Sequence, residues 1–93
     1  IEFGQTQVGT APRVVLFGRE GCHLCEAARA VVAAVCTELG ETFREVDVDE
    51  DEDAAAHVDP DEIPVTFVDG RQHDFWRVDP DRLRAALAHG RAP

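Results

Sequence analysis

No stretch of this 93-residue chain approaches the ~20 consecutive apolar residues of a membrane-spanning helix, so a bilayer span is not expected. Positive charge is scarce. Nine basic residues, all arginine, stand against nineteen acidic ones, a formal net charge of -10. Such a surface repels phosphate backbones and anionic lipid, which argues against nucleic acid and membrane surfaces as partners. Cysteine is sparse and odd in number: three in all, two of them close together at Cys22 and Cys25. A secreted disulfide scaffold carries an even, denser set, so the count favours a reducing compartment and predicts a cytoplasmic protein. No signal-peptide pattern is visible, and there are no internal repeats.

What remains is ordinary for one small globular domain, with 44% hydrophobic and 30% charged residues. Residues 1–11 are polar and lack periodicity, which predicts a disordered tail outside the fold, leaving 12–93 as the domain. Val14-Val15-Leu16-Phe17 is an uninterrupted apolar run, as in a strand covered on both faces. From Cys22 to Leu39 an alanine-rich segment has helical period, with Leu24, Ala28, Val31, Val32, Val35 and Leu39 on one stripe and Gly40 as its stop. Phe43 to Val48 reads as a second strand. The acidic run Asp49–Asp53 leads into Ala54-Ala55-Ala56-His57, which suits the positive end of a short helix. Calcium binding is set aside, because the run lacks the glycine and spaced ligands of an EF-hand loop.

Asp59-Pro60 and Ile63-Pro64 break the chain before the strand Val65–Val68. Asp69-Gly70 is a two-residue hairpin signal, and Arg71–Phe75 returns as a polar edge strand. Asp79-Pro80 gives an N-cap followed by proline at the first helical position, opening a last helix with Leu83, Ala86 and Leu87 that stops at Gly90. The predicted order is β-α-β-α-β-β-α, an α/β fold with a four-stranded mixed sheet: a right-handed parallel unit first, an antiparallel hairpin after.

The Cys22-His23-Leu24-Cys25 motif, taken alone, is ambiguous between redox chemistry and zinc. Its position favours redox. It follows a buried strand and opens a long helix, where unpaired N–H groups and the helix dipole stabilise a thiolate. Cys22 is therefore the expected nucleophile and Cys25 the resolving thiol. Zinc needs further ligands, and Cys36 lies ~16 Å down the same helix from Cys25 at 1.5 Å per residue. No metal site and no resident cofactor are expected. Arg19 adds positive potential near the thiolate or is merely a solvated loop residue. His23 tunes Cys22 as a cation or simply occupies the helix start, while Glu20 and Glu26 act in the opposite electrostatic sense. Cys36 reads as a small core residue.

Taken together, the strand ending at Phe17, the Arg19–Cys25 loop and helix start, Val46-Asp47-Val48-Asp49, and Ile63-Pro64 before Val65–Gly70 resemble the glutaredoxins within the thioredoxin superfamily. The resemblance covers nearly everything from Arg13 to His89. It implies the thioredoxin fold, Cys22 as nucleophile, Cys25 as resolving cysteine, and Pro64 as a cis-proline beside the active site. The backbone of Ile63 would then pair with an extended thiol substrate or peptide. Two departures bear on the substrate. His23-Leu24 stands where glutaredoxins usually carry Pro-Tyr. Asp74-Phe75-Trp76-Arg77 stands where they seat the glutathione backbone on Gly-Gly, and bulky side chains obstruct the close approach that glycine permits. Glutathione is thus the doubtful member of its substrate class, and the chain is more similar to short glutaredoxin-like proteins of unassigned substrate. Trp76 either covers one end of the core or lines the substrate groove.

The expected function is reversible thiol–disulfide exchange with a disulfide-containing protein or small thiol, by a monomer supplied by an external electron donor. The alternatives are a non-catalytic thioredoxin-like module that binds partners beside Pro64, and metal or iron–sulfur binding through Cys22 at a dimer interface.

Overall fold

The computed structural model describes residues 12–89; the tail expected at residues 1–11 and the helix stop expected at Gly90 lie outside them. β1 (Val14–Gly18) is the apolar run, and it is central. It pairs in parallel with β2 (Phe43–Asp47), Val14 opposite Phe43, and antiparallel with β3 (Val65–Val68), Val14 opposite Val68. β4 (Arg71–Phe75) completes the order β2-β1-β3-β4 as an edge strand, so its polar sequence faces an unpaired margin. Between β3 and β4, Asp69 and Gly70 have φ of 53° and 83°. Both central residues in the left-handed region make this a type I′ turn, whose twist matches that of the strands. The register slips between Thr66 and Phe67, leaving His73 as the extra residue of a β-bulge.

α1 (His23–Leu39) crosses over from β1 to β2 and ends at Gly40, φ 70°, whose left-handed conformation lets Glu41 N–H reach the Cys36 carbonyl at 2.8 Å. α2 (Glu52–His57) starts on Asp51, whose carboxylate accepts from Asp53 and Ala54 N–H, so the acidic run supplies a cap as well as charge. A 3₁₀ turn at Pro60–Glu62 follows, and α3 (Pro80–Ala88) starts on Asp79 with Pro80 in its first turn.

The sheet is covered on both faces. Val14, Leu16 and Val68 pack with Ala28, Val32, Val35 and Cys36 of α1 and Leu83 and Leu87 of α3. Val15, Phe17, Val65 and Phe67 face Ala54 and Val58 beside α2, together with Ile63 and Cys25. Leu24 and Leu39, placed on the apolar stripe by periodicity, are exposed, because they lie in the end turns of α1, where no neighbouring element among the described residues covers them. The second strand stops one residue short of Val48, whose N–H nevertheless bonds the Gly18 carbonyl at 2.9 Å.

Arg13 ties the base of the molecule together. It is buried, and its guanidinium donates to both Asp69 carboxylate oxygens, to Glu41 and to the Leu87 carbonyl, each at 3.0 Å. Four donated bonds offset the desolvation of its charge, and the Asp69 bond in particular holds its pKa above the ordinary arginine value. No helix among the described residues is long and apolar enough to cross a membrane.

Candidate active site

The end of β1 and the start of α1 bring the two cysteines together. Cys22 is the N-cap of α1, with extended backbone (φ -101°, ψ 115°), and its sulfur accepts the Cys25 N–H at 3.2 Å. The thiol thus replaces the serine or aspartate oxygen that usually satisfies a free amide in a first turn. Its own carbonyl already takes the Glu26 N–H at 3.1 Å. One sulfur is therefore partly exposed at a helix N-terminus, and the other, Cys25, is buried with 1% exposure. Burial, with the hydrogen bond to Cys22 adding to it, pushes the Cys25 thiol up to about 11; the Arg19 backbone and the Arg29 charge pull the other way. Cys36 is buried three turns further on, and burial raises its thiol too, as suits a core residue.

Gly18 makes room for this arrangement. A Cβ placed on it would lie 3.0 Å from the Cys25 sulfur, so the end of β1 tolerates no ordinary side chain there without displacing the thiol. Beside Gly18 a crevice of about 330 Å³ runs between α1 and β2, crossed by the Arg29–Glu45 ion pair with contacts of 2.6 to 2.9 Å.

Of the residues singled out by sequence, Cys22, Cys25 and Ile63 share one packed cluster. Ile63 is buried, in extended backbone, and Pro64 behind it is fully buried after a cis peptide bond. His23 is exposed at the first position of α1. Arg19 turns its guanidinium toward Asp49, 3.4 Å away on an exposed surface, while its backbone serves Cys25. Among the described residues no group of three or more His, Cys, Asp or Glu side chains is placed to hold a metal ion.

The contacts of two neighbours are not legible in the sequence: the approach of Gly18 to Cys25, and the bonds made by Trp76, a residue expected either to cover one end of the core or to line the substrate groove. Trp76 is half exposed, and its φ of 64° is left-handed, a rare conformation for a bulky residue that costs on the order of 1–3 kcal/mol. Its N–H donates to the Pro64 carbonyl at 2.7 Å and lies 3.3 Å from that of Glu62, and its indole N–H donates to the Asp61 carbonyl at 2.9 Å. Trp76 therefore clamps the segment that carries Pro64.

A dithiol at the start of the first helix, beside a proline loop at the end of a β2-β1-β3-β4 mixed sheet, defines the thioredoxin class of fold. Similar folds include protein XcR50 from X. campestris, 30% identical with a TM-score of 0.60 over 84% of this chain and 99% of that one. Thioredoxin from Fasciola hepatica is 31% identical with a TM-score of 0.58 over 82% and 77%. Residues 13–88 match the glutaredoxin-like domain (DUF836), and the chain belongs to that family. The uncharacterised protein Mb0520 of Mycobacterium bovis is 38% identical over 84 residues, 83% of this chain and 84% of that protein.

Proposed function

We propose that the domain is a thiol–disulfide oxidoreductase working through Cys22 and Cys25, with Arg19, His23, Ile63 and Pro64 framing the substrate. The observation that carries this reading is the asymmetry of the pair: a partly exposed sulfur at the helix N-cap and a buried one a single turn inside it. The exposed Cys22 thiolate attacks a substrate disulfide, forming a mixed disulfide and releasing one substrate thiolate. Cys25 then gives up its proton and attacks the Cys22 sulfur, releasing the second. The products are a Cys22–Cys25 disulfide and a substrate reduced by two electrons, and an external thiol or reductase restores the dithiol. The chemistry needs no resident cofactor. Protein disulfides suit the site better than glutathione, since Phe75 and Trp76 crowd the region beyond Pro64.

The test is exchange with hydroxyethyl disulfide by the full chain and its two serine variants. Cys22→Ser should lose all exchange. Cys25→Ser should retain the first attack and accumulate a mixed disulfide on Cys22, visible by mass spectrometry. A wild-type protein that exchanges with no disulfide sinks the reading.

A further inference from the structure

We infer that Phe75 and Trp76 form a docking ledge for a peptide segment of the substrate that carries an apolar side chain and a positive charge close to its reacting cysteine; this rests on the redox reading above and narrows its substrate class. Among the described residues, four large apolar side chains are exposed, and two of them are these neighbours, whose rings meet edge to face at 5.1 Å. Trp76 holds a left-handed backbone conformation although half its surface is open to water, so packing within the chain does not account for the strain. Strain of this kind persists where the surroundings fix it. Here three N–H contacts do so, to the carbonyls of Asp61, Glu62 and Pro64. An exposed aromatic pair presented so rigidly has the character of an anchor in an interface.

Position and charge select the occupant. The ledge is bonded to the carbonyl of Pro64, and Ile63 packs in the cluster that contains both cysteines. A chain held to Cys22 by a disulfide and running past Ile63 therefore meets the ledge a few residues from its own cysteine. A small disulfide that carries no chain does not span this path. The 3₁₀ turn under the indole brings Asp59, Asp61 and Glu62, while Arg77 follows Trp76 in the chain, on a molecule of net charge -10. Arg82, the next cation along, is already paired with Asp74 at 2.8 Å. The matching segment is apolar and basic, and the apolar–cation pair also suits the face of an indole.

The experiment uses two synthetic peptide disulfides, one with Phe and Arg beside the cysteine and one with Gly and Glu. At about 1 M salt, where long-range charge is screened, the wild type should prefer the first by about tenfold in kcat/KM, and Trp76→Ala should bring the ratio close to one. Phe75→Ala should move the ratio in the same direction, which keeps the test open if the tryptophan variant folds poorly. Leu39→Ser, an exposed apolar position at the far end of α1, should keep the preference. The single tryptophan of the chain gives an independent reading. In Cys25→Ser trapped on Cys22 with thiopyridyl-activated peptides, acrylamide should quench it less with the Phe/Arg peptide than with the Gly/Glu peptide. Equal quenching, or a wild-type ratio near one while hydroxyethyl disulfide still reacts, overturns the ledge and leaves the redox reading standing. Loss of reaction with hydroxyethyl disulfide overturns the redox reading itself.

Discussion

Burial lifts the pKa of the Cys25 thiol from the ordinary 9.0 to about 11, so it keeps its proton well into the alkaline range. A thiolate is the attacking species, so the resolving step by the buried Cys25 should accelerate as pH rises through the alkaline range. The same shift links to stability. Below 9.0 the folded and unfolded chains both keep the proton. Between 9.0 and about 11 the unfolded chain loses it while the fold retains it, so stability falls as pH rises, by up to about 2–3 kcal/mol. Thermal unfolding of the reduced protein between about pH 8.5 and 10.5 should show this decline in wild type and a smaller one in Cys25→Ala. Equal slopes would mean that the buried sulfur is not the cause. The assignment of the two sulfurs to exposed and buried roles was legible in the sequence, because a Cys-x-x-Cys step at a strand-to-helix junction puts one residue on the cap and the next a turn inside. The contact of Gly18 with Cys25 and the clamp by Trp76 were not legible. Each depends on where a second element passes, and a left-handed tryptophan has no signature in the chain.

The elements whose ends carry their own chemistry are the ones that sequence located. Asp79 caps α3 by accepting from the N–H groups of Asp81 at 2.9 Å and Arg82 at 3.3 Å, with Pro80 preset for the first turn. Asp79→Ala should cost about 1 kcal/mol, and for a domain of this size that lowers Tm by roughly 4–8 °C. An unchanged Tm would show that solvent satisfies those amides equally well. Gly40 ends α1 and Asp69-Gly70 turns the hairpin for similarly local reasons, since few residues adopt positive φ easily. Interactions between elements were harder to read. The bulge at His73 follows from the way β4 fits β3, and the exposure of Leu24 and Leu39 follows from what the neighbouring elements leave uncovered at the two ends of α1. The 3₁₀ turn at Pro60–Glu62 occupies a segment where sequence showed only two prolines breaking the chain. That turn matters for the site, since its Asp61 and Glu62 carbonyls receive the Trp76 N–H groups.

On the proposed redox reading, the whole molecule meets its substrates through charge before any contact forms. At a formal -10, with Glu20 and Glu26 flanking the cysteine motif, the field should draw cationic disulfides toward Cys22 and slow anionic ones. Arg19 answers part of that field, but it is shared with Asp49, and the Arg29 guanidinium is held by Glu45. The local cations are thus largely paired, and the acidic excess acts at long range. Screening separates this effect from the chemistry. At about 0.01 M salt the Debye length is about 30 Å, comparable to the molecule, and at 1 M it is about 3 Å. The rate with cystamine, a cationic disulfide, should therefore fall as salt is added, and the rate with the dianionic dithiobis(nitrobenzoate) should rise. The ratio of the two should shrink by several-fold across that range. Intrinsic differences in leaving-group reactivity set the ratio at high salt and cancel when each rate is normalised to that limit. A ratio that ignores salt would mean that the acidic excess of the molecule does not reach Cys22. In that case the preference for basic segments would have to come entirely from contact at Phe75 and Trp76, and it would persist undiminished at high ionic strength.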